Sequence, residues 1–572
     1  MIPITPLSSL HFRRRDSEPR TFEGENGGKP YAGRWVARLG ERVVGQGGTP
    51  QQALQAAKAA RHKETPQVIY VPTTNPFEFS SLLELIRSAL PSDTLVYLVG
   101  GAVRDALLER PVHDYDFALP GDALLAARRV ANKIGAAYFP LDADRGTARL
   151  IFTDEQGSRH VLDFASLRGP DLESDLRARD FTVNALAVDV RNPQALLDPL
   201  GGAADVWNKA LRACSPTSFT GDPVRILRAI RIAAGFGFHI LPETRKFMRD
   251  AVPLLPRVSP ERLRDELFRI LGGPQPHTAI RALDMLGVLP HILPELLSVK
   301  NVTQSPPHVR DVWGHTLDTM RHLDILLTVL GPRHDPDASA NLTLGVAVMR
   351  LGRYRQQISA YLQAPLVPER PLRPLLFLAA LYHDIGKPEV RHLDENGRIR
   401  FFNHEQIGEE LVSGRGKALH LSNTEIDRLG AVVRHHMRPT LLAHSERGPS
   451  SRAIYRFFRA TGIAGVDICL LSLADLLATY GTMLPQERWA RQVNVVGALL
   501  EAWWEHPETK VYPPAVITGH DLISEFGLEP GPLIGELLEG VREAQAVGDV
   551  GSREAALALV RAYLGDEKIG NG

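Results

Sequence analysis

The run Leu95-Val96-Tyr97-Leu98-Val99-Gly100-Gly101-Ala102-Val103-Arg104-Asp105 is followed, after Ala106 to Val112, by His113-Asp114-Tyr115-Asp116-Phe117. The apolar run predicts a buried strand, and the glycine pair predicts a turn whose backbone N–H groups can approach a phosphate closely. A helix starting at Ala102 puts Arg104 in its first turn. In the strand that follows, side chains alternate faces, so Asp114 and Asp116 share one face while Tyr115 and Phe117 enter the core. Two carboxylates on one rigid edge can hold a pair of Mg²⁺ ions, which activate a hydroxyl and neutralise charge on a transferring phosphoryl group. Asp-x-Asp alone is a common feature of solvated strand ends. The glycine pair, the Arg-Asp pair and the strand context turn the reading toward phosphoryl transfer.

Outward from that stretch, 572 residues are too many for one core and imply about three to five domains. The chain has 44% hydrophobic and 23% charged residues, an ordinary globular composition. Lys+Arg number 66 and Asp+Glu 66, so any nucleic-acid surface must be local rather than a bulk basic field. Cys214 and Cys469 lie far apart, which excludes a disulfide framework and a zinc ribbon and fits a reducing cytoplasm. The amino terminus lacks a basic leader with a long apolar core, and no run of about eighteen apolar residues is expected to insert in a membrane.

The first seventy residues read as a separate unit. Arg34 to Gly40 and Arg42 to Gly45 alternate like a hairpin, Thr49-Pro50-Gln51-Gln52 opens a helix, and Val68 to Val71 supplies a third strand. Arg13-Arg14-Arg15 before it is either a solvated basic tail or an RNA contact. Helices are expected at Phe79 to Leu90 and Ala123 to Ile134, then strands around Ala148 to Phe152 and Val161 to Phe164. Beyond Asp205 the chain turns largely helical.

Asp163 sits among apolar neighbours, where a lone carboxylate is costly. It is either a third carboxylate facing metal or sugar, or the partner of Arg168 or Arg179. Further on stand Arg177-Ala178-Arg179-Asp180-Phe181-Thr182-Val183-Asn184, Asp198-Pro199-Leu200-Gly201-Gly202-Ala203-Ala204-Asp205, Phe219-Thr220-Gly221-Asp222-Pro223-Val224-Arg225-Ile226-Leu227-Arg228 and Ser259-Pro260-Glu261-Arg262. Asp222 is expected to cap a helix that carries Arg225, Arg228 and Arg231 along one side.

In this order the motifs resemble those of the class II tRNA nucleotidyltransferase and bacterial poly(A) polymerase family. The resemblance runs over roughly residues 80 to 570. It implies a multidomain fold: an α/β nucleotidyltransferase head followed by an all-α neck, an all-α HD domain and a helical tail, with the small α/β unit in front. The corresponding ranges are 1–74, 75–200, 201–300, 301–485 and 486–572. It also implies template-independent addition of CMP and/or AMP from CTP and ATP to the tRNA 3′ end, with Mg²⁺ on Asp114 and Asp116. Gly100, Gly101 and Arg104 would hold the triphosphate; Arg179, Asp180 and Asn184 would contact triphosphate and ribose. Asp222 and Arg225 would read the base, supported by Arg228.

Two motifs depart from the family pattern. Ala178 breaks an arginine pair, and Gly221 stands where the family commonly has Glu. The interval from Asp163 to Arg179 is also short, whereas enzymes that add the terminal AMP usually carry a longer mobile loop there. The resemblance therefore suggests CC addition. Poly(A) polymerase shares every motif and is one alternative.

After residue 310 a second constellation appears: His315, His383-Asp384, His404, His435-His436 and Asp475. This ordered set resembles the HD phosphohydrolase superfamily, whose His and Asp side chains converge on one or two divalent metals. His315, His383, Asp384 and Asp475 match a first metal set; His404, His435 and, with less support from the pattern, His436 would complete a second. Neutral imidazoles and carboxylates suit a divalent transition metal or Mg²⁺. The implied chemistry is attack of a metal-activated hydroxide on a phosphoester, with 2′,3′-cyclic phosphates or nucleotides as substrates and Lys387 anchoring phosphate. A chain that is chiefly such a phosphohydrolase, its head reduced to an RNA-binding module, is the alternative of another class. In the tail, Ile517 to Leu522 and the glycines after it read either as an RNA-phosphate contact or as helix packing. The sequence leaves the oligomeric state open.

Overall fold

The computed structural model describes residues 4–6, 34–39, 42–47, 50–59, 66–71, 80–112, 114–154, 157–333, 341–368 and 370–570. The basic run at Arg13 to Arg15, together with Gly40, Thr49, Phe79 and His113, lies outside the described residues. The chain forms two compact units, Met1–Arg257 and Val258–Gly572.

In the first unit an eight-stranded sheet runs in the order Ile4–Pro6, Asn192–Leu197, Ala187–Asp189, Tyr97–Val99, Asp114–Leu119, Arg159–Ser166, Thr147–Thr153, Ala137–Asp142. Asp114–Leu119 and Arg159–Ser166 pair in parallel, with Asp116 opposite Asp163, while the other neighbours are antiparallel. A parallel pair needs a long crossover, and here it includes helix Ala123–Ile134, capped by Asp122 and closed by Gly135. That helix packs on Thr147–Thr153 and Arg159–Ser166, giving the sheet one covered face.

The remainder of the unit includes the small strand pair Ala210–Leu211 and His239–Ile240 and the helices Arg225–Phe236 and Pro242–Ala251. Asp222 does not cap Arg225–Phe236: the cap position is Val224, with no side-chain cap hydrogen bond. Pro223 and Val224 separate the carboxylate from the helix start, and Asp222 instead pairs with Arg225 at 3.8 Å.

The amino-terminal residues form a three-stranded antiparallel sheet, ordered Arg42–Gly47, Arg34–Leu39, Gln67–Val71, with helix Pro50–Ala59 laid across it. Ala37, Ala53 and Ala57 make its core.

The second unit is helical. Its centre is Gly465–Tyr480, buried along almost its whole length and packed on Val312–Val329, with Leu372–Tyr382 also buried nearly all round. A helix apolar on every side belongs in a core or a membrane. The stretch Ser451–Met483 passes for a membrane span by length and composition alone. Its most apolar 18-residue window is 78% buried inside the unit, and the stretch carries Asp467 and Asp475, as a core helix can. The tail helices, Gly519–Phe526 and Pro532–Val547 among them, close over their own cluster of Ile517, Leu522, Leu537 and Val541.

Two candidate active sites

Strand Asp114–Leu119 alternates as expected. Asp114 and Asp116 are exposed, while Tyr115 and Phe117 are buried. The turn before it is made by Gly100, at φ 76°, where an L side chain is strained. A Cβ there would lie 3.0 Å from Asp116 Oδ2 and 3.3 Å from Arg179 Nη1, so the backbone, the carboxylate and the guanidinium meet at one place. Solvent reaches the Asp116 carboxylate, yet the surrounding protein raises its pKa. Arg179 opposes that rise, and Asp163 and Asp114 add to it. Crowded carboxylates of this kind fit a cation between them.

Asp163 does not pair with Arg168 or Arg179. It takes a bidentate pair from Arg149, its cross-strand partner, at 2.8 and 2.9 Å. Arg179 is held by Asp175, at 2.9 and 3.1 Å. The Arg149–Asp163 pair depends on strand register and is invisible to sequence spacing, whereas Asp175 and Arg179 stand at the i, i+4 spacing that pairs side chains on a helix.

Arg104 lies in helix Gly101–Leu107 and is buried. Its Nε and Nη2 donate to Asp105, and its Nη1 donates to Asn184 Oδ1 at 2.6 Å. Its guanidinium sits 4.2 Å from the Phe236 ring centre, and Arg110 lies 4.4 Å from the same ring. Burial lowers the Arg104 pKa and Asp105 opposes that. The network continues: Asn184 Nδ2 donates to Asp180 Oδ1 at 3.1 Å, and Arg228 Nη1 donates to Asp180 Oδ2 at 3.2 Å. Burial favours the neutral acid at Asp180, but Arg228, Asn184 and the Phe181 N–H bring its pKa below the usual value. Arg225 donates to the carbonyls of Ala178 and Arg179, each at 3.2 Å. Gly100, Asp116, Arg179, Arg104, Asn184, Asp180, Arg228, Arg225 and Asp222 thus form one linked set. Phe236, which no motif marked, closes it against Arg104.

The second site lies wholly within the helical unit. His315, His383 and Asp384 form one group and Asp384, His404 and His436 another, all buried. His383, His404 and His436 each donate an Nδ1–H to a carbonyl three residues earlier: Ala380, Phe401 and Val433, at 2.8, 2.8 and 2.7 Å. These bonds fix the tautomer and turn each Nε2 lone pair inward. His404 and His436 Nε2 then face one another at 3.4 Å, and His315 and His383 Nε2 at 3.3 Å. Asp475 Oδ1 is 3.0 Å from His315 Nε2.

Ring nitrogens turned inward at this spacing can share one cation. Ligand atoms held about 2.0–2.2 Å from one ion are themselves about 3–3.5 Å apart, so these separations suit a divalent metal. Burial pushes the His436 pKa down to about 3, leaving the ring neutral. Asp384, though buried, stays well below the carboxylate range because His383 and Lys387 face it. Lys387 Nζ lies 2.7 Å from Asp384 Oδ2 and donates to Gln304 at 2.7 Å. Lys387 therefore braces the carboxylate that the two groups share. His435 is only half-buried, and its charged neighbours are Arg438, Arg434 and Glu405, none of them in either group. One residue is about 100° of helix rotation, so of the two adjacent histidines only His436 turns inward.

Similarity to known proteins follows the same division. The chain matches the poly A polymerase head domain over residues 96–212, the probable RNA and SrmB-binding site of polymerase A over 237–299 and the HD domain over 350–478. Residues 29–74 match a family of unknown function. An A-adding tRNA nucleotidyltransferase of Deinococcus radiodurans is 32% identical over 472 residues, covering 82% of this chain and 95% of its own. A CC-adding tRNA nucleotidyltransferase of Thermus thermophilus is 32% identical over 474 residues, covering 82% and 93%. The solved structure of a CCA-adding enzyme with CTP, 22% identical, covers 84% of this chain and 98% of its own with a TM-score of 0.52, a likeness of fold.

Proposed function

The chain belongs to the tRNA nucleotidyltransferase family, and from that premise we propose that it extends tRNA 3′ ends with CMP and/or AMP, using CTP and ATP without a template. The observation that carries this reading is the meeting of Asp116 with Gly100 and Arg179 on the exposed strand face that Asp114 shares. Asp114 and Asp116 would hold Mg²⁺, with Asp163, paired to Arg149, as the third carboxylate of the set. Bound there, the ions would lower the pKa of the attacking hydroxyl and offset phosphate charge. Arg179 supplies cationic charge beside Asp116, Arg104 would reach the triphosphate from the helix that follows the glycine turn, and Gly100 and Gly101 let the backbone approach the triphosphate. Asp222 and Arg225 would read the base, with Arg228 and Asp180 holding the selecting helix against Asn184.

The interval between Asp163 and Arg179 is occupied by the short helix Leu172–Arg177, capped by Asp171 and tied to Arg179 through Asp175. So compact a segment favours addition of two cytidines. The relatives that add A and those that add CC are equally similar, so product length decides. A tRNA lacking CCA is incubated with CTP alone, ATP alone and both. Growth by two residues with CTP and none with ATP is expected; completion of CCA overturns CC addition, and no growth overturns the reading.

The buried histidine cluster supports a second activity, metal-dependent phosphoester hydrolysis. His315, His383, Asp384 and Asp475 would hold one divalent ion and Asp384, His404 and His436 the other, with His435 left out on its geometry. Such ions would supply a metal-bound hydroxide at neutral pH. We assign the chain to the cytoplasm, where its substrates are made.

A further inference from the structure

Residues 29–74 match a family of unknown function, and the sheet they include packs on the head through one short helix. Within the first unit, strand Gln67–Val71 packs against helix Gly202–Trp207. Trp35, on the middle strand, packs on the Ala37, Ala53 and Ala57 core and meets Trp207 edge to face, with ring centres 5.2 Å apart. Helix Gly202–Trp207 in turn lies against the turn Thr182–Asn184 and helix Gly101–Leu107. The approach is close: a Cβ on Gly202 would fall 2.0 Å from the Thr182 carbonyl oxygen. Asp205, buried in the same helix, accepts from Thr182 Oγ1 at 2.6 Å and from Arg212 at 2.6 and 2.8 Å. Asn184, two residues beyond Thr182, holds Arg104. Trp35 is therefore linked through Trp207 to helix Gly202–Trp207, whose Gly202 and Asp205 meet Thr182, and so to the turn that carries Asn184 and to Arg104.

We infer that the amino-terminal sheet is a back wall for the triphosphate-binding elements, and that Trp35 is a positioning residue acting through Trp207 on Asn184 and Arg104. The wall keeps the short helix Gly202–Trp207 from withdrawing. Without it, the Thr182–Asn184 turn could drift by fractions of an ångström, enough to misplace a phosphate ligand. This inference rests on the nucleotidyltransferase reading of the head.

The test uses the full chain and compares wild type, Trp35→Ala, Trp35→Phe and Trp207→Phe for CTP incorporation into tRNA lacking CCA. An edge-to-face aromatic contact is worth about a three- to tenfold change in an equilibrium. Trp35→Ala should raise the KM for CTP by about that factor while the KM for tRNA stays put, and Trp35→Phe should recover most of the loss. A purely structural loss would lower the active fraction, and hence kcat, without moving KM. Unchanged CTP KM in Trp35→Ala overturns the inference, as does a rise confined to the KM for tRNA. Should Trp35→Ala fail to fold, Trp207→Phe decides: a raised CTP KM supports the path and an unchanged one overturns it. Failure of the wild type to add any nucleotide would instead overturn the reading beneath it.

Discussion

The two carboxylate centres of this chain are built to opposite designs. In the head, Asp114 and Asp116 stand on the exposed face of a central strand, with Arg179 reaching in beside Asp116. In the helical unit, Asp384 is buried among four imidazoles, of which those of His383, His404 and His436 are each fixed by a carbonyl three residues back. An open face leaves room for a large substrate that brings its own charge and metal-bound phosphates. A closed nest of oriented lone pairs is organised to retain ions before any substrate arrives. The difference teaches that carboxylates alone do not describe a metal site; what orients them decides whether the site waits for substrate or waits with metal.

The comparison is most sharply broken at Asp384, the residue that both histidine groups share. Asp384→Ala should remove divalent metal from the helical unit and reduce phosphodiester hydrolysis by about a thousandfold or more, while leaving CTP incorporation within about twofold. Metal content by elemental analysis and the two turnover assays on one preparation check this. Parallel loss of both activities would mean that the centres are not independent.

Next in size is the pair of adjacent histidines. His436→Ala should lower metal occupancy and hydrolysis by about ten- to a hundredfold or more, because the lost ring supplies an inward Nε2. His435→Ala should change either by less than about twofold, as expected of a side chain outside the cluster. Isothermal titration with Mn²⁺ distinguishes them.

The sequence pattern placed His435 ahead of His436, because helix phase was not known where the two histidines sit, whereas the geometry groups His436 with Asp384 and His404. Elsewhere much was legible. The alternation of Asp114, Tyr115, Asp116 and Phe117 and the helix Ala123–Ile134 follow from local periodicity, the histidine set from its resemblance to the HD superfamily, and the fold carries the alternation and the helix and brings His315, His383, His404 and His436 together around Asp384. What escaped were contacts set by register between distant strands and helices. Arg149 faces Asp163 across a strand pair, and Phe236 reaches Arg104 from the far end of its helix. Neither spacing nor composition carries that information. Asp222 escaped for a local reason, since Pro223 and Val224 intervene before the helix begins.

A smaller effect would sharpen the head's side of the comparison. Phe236→Ala removes the ring under Arg104 and Arg110 and should raise the KM for nucleotide by about two- to fivefold, with Phe236→Tyr near wild type. Steady-state kinetics at fixed tRNA measure it. Hydrolysis in the helical unit should not move.

The central claim is that nucleotidyl transfer takes place at the exposed face of Asp114 and Asp116. Labelled CTP incorporation into tRNA lacking CCA, by wild type and Asp116→Ala side by side, tests it most directly. Incorporation by wild type and a loss of about a thousandfold or more in the variant is the expected result. Equal incorporation by both proteins, or none by either, would contradict it.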